Sequence, residues 1–112
     1  MRAEEKIHQL QIAEQNMQQL LMQKQSFQAQ LLEIESAQEE LKKTDVVYKV
    51  VGNLMLRSKK DDVEKELNEK NEIIALRLKN IEKQEKTAQE TVKKLREEIL
   101  EGIREKEKKK EK

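Results

Sequence analysis

The chain has 112 residues, 42% of them charged and 35% hydrophobic, with no Cys, Pro or Trp and only one Tyr and one Phe. Large rings remove the most apolar surface per residue ordered, so this composition suits long helices or coiled coils better than a compact core. Lys and Arg total 24 against 23 Asp and Glu, a net charge of +1 that gives no overall field to attract nucleic acid or an anionic membrane, and the lack of Cys excludes disulfides, thiolate metal sites and thiol nucleophiles.

The first helix is predicted over residues 1–44. Leu10, Ala13, Met17, Leu20, Lys24, Phe27, Leu31, Ile34, Gln38 and Leu41 follow one another in alternating steps of three and four, and eight of these ten are apolar. That is a sustained heptad seam, set among Gln and Glu, which are good helix formers. Ile7, Ile12, Leu21, Met22 and Leu32 lie off the strict seam and give this helix more than one apolar face. Residues 1–43 hold ten of the twelve Gln but only twelve charges.

Residues 45–58 break the pattern. Val46, Val47, Tyr48, Val50 and Val51 are β-branched or aromatic, which favours a strand, and Gly52-Asn53 supplies two residues that tolerate the positive φ of a tight hairpin turn. The predicted pairing sets Val51 opposite Leu54, Lys49 opposite Leu56 and Tyr48 opposite Arg57. One face then carries Val47, Lys49, Val51, Leu54 and Leu56, and the other Tyr48, Val50, Met55 and Arg57. Both faces are substantially apolar. A lone two-stranded hairpin is marginal in water and leaves two edges unpaired, so this segment is expected to make the chain an obligate oligomer.

A second helix is predicted over residues 59–107, followed by a charged tail at 108–112. Ser58-Lys-Lys-Asp61 has capping-box spacing, and Asp61, Asp62 and Glu64 suit the positive end of a helix dipole. Leu67, Asn71, Ile74, Leu78, Ile81, Glu85, Ala88, Val92, Leu95 and Ile99 form a second seam, again with eight of ten apolar. Residues 59–112 carry thirty-two charges, many at i,i+4 with opposite sign, such as Glu66 with Lys70 and Glu82 with Lys86. At about 1.5 Å per residue each helix reaches roughly 55 to 70 Å, too long for a compact bundle of this mass. The fold expected is therefore mainly α, a single domain over 1–112 in which two helices form a long antiparallel coiled-coil hairpin joined by a β-hairpin. Polar seam positions Lys24, Gln38, Asn71 and Glu85 are expected to fix register. The final KEKKKEK is expected to fray, and Gly102 is a candidate end or bend of the helix.

The chemistry-bearing residues stay isolated. His8 is the only His, and Asp61-Asp62 and Glu97-Glu98 are read as solvated helix faces, with no pocket to shift their pKa. No phosphate loop, nucleophile constellation or metal-ligand spacing is present, so no catalytic residue, cofactor or metal is assigned and an enzyme is not expected. The basic tail, with six Lys or Arg against three Glu over 104–112, is read as a solubilising terminus or a contact for an acidic surface. No apolar run approaches the roughly 20 residues of a membrane span, and MRAEEKIHQLQ lacks the apolar stretch of a secretory signal, so a cytoplasmic location is expected.

The order of parts, a Gln-rich helix, then D-VVYKVVGNLML, then a helix containing KDDVEKEL and ALRLKNIEKQEK, closely resembles the β-type subunits of the prefoldin family, in its archaeal form. The resemblance spans nearly the whole chain, and its most specific part is VYKVVGN followed by LRLKNIEKQE. One hairpin matches the β-type, because α-type subunits carry an extra pair of strands. The resemblance implies a hexamer of two α-type and four β-type subunits whose hairpins merge into an intersubunit β-barrel. It further implies ATP-independent holding of unfolded proteins at the coiled-coil tips and their delivery to a group II chaperonin. Val46, Val47, Tyr48, Val50, Val51, Gly52, Asn53, Leu54, Met55 and Leu56 would then be the assembly element. The client-binding tip would be Ile7, Leu10, Ile12 and Met17 with Val92, Leu95, Ile99, Leu100 and Ile103. Against this, the end LREEILEGIREKEKKKEK is more charged than an ideal client-binding tip, and its off-seam apolar residues would also suit packing against a neighbouring coiled coil. The alternative function is a structural coiled-coil adaptor that oligomerises through its hairpin and binds one defined partner.

Overall fold

A computed structural model describes residues 2–110. Helix α1 runs Ala3–Leu41, strands β1 (Val47–Val51) and β2 (Leu54–Ser58) follow, and helix α2 runs Lys60–Lys110. The strands pair antiparallel with Val51 opposite Leu54, Lys49 opposite Leu56 and Tyr48 opposite Arg57, the register read from the sequence.

The element ends differ from expectation in four places, each for a local reason. Helix α1 stops at Leu41 rather than 44. There Thr44 competes for the chain: its hydroxyl accepts from the Val46 amide (3.3 Å) and donates to the Val46 carbonyl (3.2 Å), a side-chain turn that replaces another helical residue. At the hairpin tip only Gly52, at φ 60°, has positive φ among the described residues, so Asn53 does not use the tolerance expected of it. Gly in the first central position with an ordinary second residue is the II′ pattern. Ser58 does not begin a capping box. It ends β2 opposite Val47, and the carbonyl of Lys59 accepts from the Val63 amide at 3.2 Å to open α2. Finally, α2 passes through Gly102 and continues to Lys110 where fraying was expected; Glu111 and Lys112 lie outside the described residues. The cost of one Gly is about 1 kcal/mol, and the surrounding Glu, Lys and Arg are strong helix formers.

The chain divides into two compact units, one of residues 24–80 and one joining the N-terminal stretch through Gln23 to the C-terminal stretch from Ile81. In the 24–80 unit, Leu41 and Ile74 are buried in the seam and Val47 is buried at the start of the hairpin. Gln38 and Asn71 face each other as expected of register-setting positions: Gln38 Nε2 donates to Asn68 Oδ1 at 2.9 Å, and Asn71 Nδ2 donates to Gln38 Oε1 at 3.5 Å. Each amide would lose a partner if the helices slipped, which is how polar seam residues discriminate against wrong registers.

In the terminal unit the two stretches run antiparallel. Residues 2–6 lie beside 98–106, whereas residues 13–20 lie beside 83–91. Leu20, Ile81, Ala88 and Val92 are buried there, and Arg96 pairs with Glu14 at 2.9 Å. Across both units every seam position read from the sequence is buried or half-buried. No side chain among the described residues is fully enclosed, so the core is only one residue deep.

One ion pair orients the hairpin. Lys49 Nζ lies 2.8 Å from Glu66 Oε1, so the hairpin face that bears Lys49 turns toward α2 and the face of Tyr48, Val50 and Met55 turns away. The hydrogen bond from Lys49 is the main cause that lowers the Glu66 pKa; desolvation opposes it, and the charges of Lys49 and Lys70 lower it further by less. A carboxylate with a depressed folded pKa stabilises above its unfolded value of about 4.3 and loses that stabilisation as pH falls through the lower folded value. The melting temperature of Lys49→Met is therefore expected to lie slightly below wild type near neutral pH, with the gap narrowing as pH falls below the unfolded carboxylate value. An unchanged gap across that range would assign the effect of Lys49 to packing alone.

Candidate functional site

Exposed apolar side chains occur along much of the described chain, Leu21, Met22 and Leu32 of α1 among them, and two groups of them coincide with residues read from the sequence as functional. The first is the hairpin. Tyr48 is 56% exposed, Val50 66%, Leu54 64% and Met55 69%, with Val46, Val51 and Leu56 also exposed. Gly52 and Asn53 are exposed at the turn. Among the hairpin residues assigned to assembly only Val47 is buried, its side chain already used inside its own unit. β1 and β2 form a two-stranded sheet with no third strand among the described residues, which leaves the outer backbone groups of both strands without sheet partners. An apolar two-faced sheet with open edges is built for addition of further strands.

The second surface lies in the terminal unit. Of the residues read from sequence as its binding group, Ile7, Ile12, Leu100 and Ile103 are exposed. Leu10, Met17, Leu95 and Ile99 are half-buried in the seam, and Val92 is the most buried residue of the group. The structure thus separates residues that hold the helices together from residues that face solvent. Heptad counting contained that distinction, since the four exposed residues are the four off the seam. Lys6 pairs with Glu98 at 3.8 Å beside this group.

Sequence reading passed over two features. Ile73 and Leu76 are exposed on α2 in the 24–80 unit, three residues apart and outside the seam. The other is a cleft of about 580 Å³ at Gly102, bordered by Ala3, Ile99 and Ile103. Extending the seam beyond Ile99 and before Leu10 would have found it. Among the described residues no group of His, Cys, Asp and Glu is placed to hold a metal ion, and no helix is long and apolar enough to cross a membrane.

Heptad helices turned back by a β-hairpin that keeps its apolar faces and edges in solvent define a coiled-coil subunit with an open sheet. The sequence profile of prefoldin subunits matches residues 4–111, and the chain belongs to the prefoldin family. The crystal structure of the prefoldin beta subunit from Thermococcus strain KS-1 superposes with a TM-score of 0.85 at 36% identity, covering 91% of this chain and 92% of that one. Prefoldin subunit beta of Archaeoglobus fulgidus is 46% identical over 54 residues, which is 46% of this chain and 47% of that protein. Prefoldin subunit beta of Saccharolobus islandicus is 51% identical over 39 residues, 35% of this chain and 31% of that protein. The matched stretch thus spans about half of the first of these relatives and a third of the second.

Proposed function

We propose that this chain is a β-type subunit of an ATP-independent holdase. It joins an α-type partner and further copies of itself, two α and four β, through the hairpin, and its exposed terminal residues hold unfolded proteins in the cytoplasm for delivery to a group II chaperonin. Family membership over residues 4–111 carries this reading. The two exposed apolar surfaces support it because they answer its two needs, one for assembly and one for capture. Ile7, Ile12, Leu100 and Ile103 sit on long helices with a shallow core, where side chains adapt to irregular partners at little cost.

The test is suppression of aggregation. Mixed with its α-type partner, the chain is expected to keep several unrelated proteins soluble as they are diluted from denaturant, without nucleotide. Protection of a single protein only, with the others precipitating as in buffer, would replace the holdase with the one-partner adaptor.

A further inference from the structure

Gly102 is unexplained by the backbone. Gly52 has a positive φ that calls for glycine, whereas Gly102 has none and lies inside a continuous helix, in its last third. Crowding does not require it either, since a Cβ built there meets nothing within 4 Å. A helix that carries glycine at such a point gives up stability relative to alanine and receives only empty space in return.

That space falls on the seam. Continuing the alternation past Leu95 and Ile99 reaches Gly102 and then Lys106, and continuing it back from Leu10 reaches Lys6 and then Ala3. The four positions that should fill the interface are thus Gly102, Lys106, Lys6 and Ala3, none of them a large apolar residue. Lys6 does not plug the gap with its charge, because its ammonium turns to Glu98 at the rim. What remains is the cleft of about 580 Å³, with Ala3, Ile99, Gly102 and Ile103 among its lining. Its charged border cancels: Arg2, Lys6 and Lys106 stand against Glu4, Glu98 and Glu105. A border without net charge favours a neutral occupant, and the aliphatic lining favours an apolar one.

We propose that the missing side chain at Gly102 makes a socket for one apolar side chain of an unfolded polypeptide, so that Gly102 is a specificity-determining residue of the terminal surface. The inference rests on the holdase reading above. In a coiled coil each knob enters a hole formed by four residues of the facing helix, and here the chain offers a hole whose knob comes from the client. The exposed Ile7 and Leu100 nearby give the rest of the client segment an apolar rest that does not depend on its sequence.

The test uses the complex assembled with its α-type partner and short fluorescent peptides that differ at one central residue, Leu, Ala or Glu. Wild type is expected to bind the Leu peptide about tenfold more tightly than the Ala peptide, the difference that follows from burying the larger side chain, and the Glu peptide more weakly still. Gly102→Leu, which supplies the knob itself, is expected to erase the preference for Leu while helicity, melting temperature and assembled mass are kept or raised. Gly102→Ala should fall between. Equal discrimination by wild type and Gly102→Leu overturns the socket and leaves the holdase reading in place. Loss of a higher-mass species in Gly102→Leu that wild type forms at the same concentration overturns it in favour of a second copy as occupant. Failure of the wild-type complex to bind any peptide or unfolded protein overturns the holdase reading itself.

Discussion

Replacing Val50 and Leu54 together with lysine is expected to reduce the complex formed with an α-type partner to its separate subunits, read as mass by light scattering. The two residues lie on opposite faces of the hairpin, Val50 opposite Met55 and Leu54 opposite Val51, and are 66% and 64% exposed in the single chain. Covering such a side chain contributes about 1.5 to 3 kcal/mol, and the double variant removes that gain on both faces of every copy. It also asks each interface to bury two ammonium groups without partners, which costs several kcal/mol more. The chain itself should be little affected, because lysine is well tolerated on exposed strands and neither residue belongs to the buried set. Helicity is therefore expected to stay near wild type while the mass falls. A complex of undiminished mass would mean that assembly runs through the helices.

Deleting residues 1–12 and 100–112 is expected to do the reverse. Among the described residues Leu20, Leu41, Val47, Ile74, Ile81, Ala88 and Val92 are the buried ones, and all lie inside the retained 13–99. The hairpin is untouched, so the assembled mass should fall only by the deleted residues. Ile7, Ile12, Leu100 and Ile103 all disappear, together with the cleft at Gly102. Partial burial of four aliphatic side chains is worth enough that binding of an unfolded protein should weaken by about tenfold or more. Aggregation suppression equal to wild type would move the capture surface elsewhere, and Ile73 with Leu76 would be the first residues to substitute.

Most of the architecture was legible because it rests on spacing. Steps of three and four locate every seam residue, from Leu10 to Leu41 and from Leu67 to Ile99, and each is buried or half-buried. The hairpin register follows from placing Gly52-Asn53 at the turn, since alternation then leaves one choice. Details governed by a single hydrogen bond were not legible. Thr44 ends α1 by binding Val46, and the Lys59 carbonyl rather than Ser58 receives the first bond of α2. Several local arrangements there differ by no more than a weak bond, and spacing is silent between them. The burial of Val47 was hidden for another reason: both hairpin faces are apolar, so pattern alone does not say which turns toward the helices. Lys49 decides it through Glu66, a pair seventeen residues apart. The cleft at Gly102 is hard to read from sequence because a glycine in a helix signals a bend or an end as readily as a vacancy in the seam.

A core one residue deep has an energetic corollary. In a globule a buried side chain is held from all directions, and exposing it means melting the whole. In either unit here, a seam residue answers chiefly to the layers just above and below it, and no side chain among the described residues is fully enclosed. The free energy of opening is then graded like that of a zipper, with the outermost teeth costing least. A guest that pried apart the last layers near Ile99 and Leu10 would compete with those layers alone, and they would close again once it left. On the proposed holdase reading, grip and release would both be properties of the same thin seam.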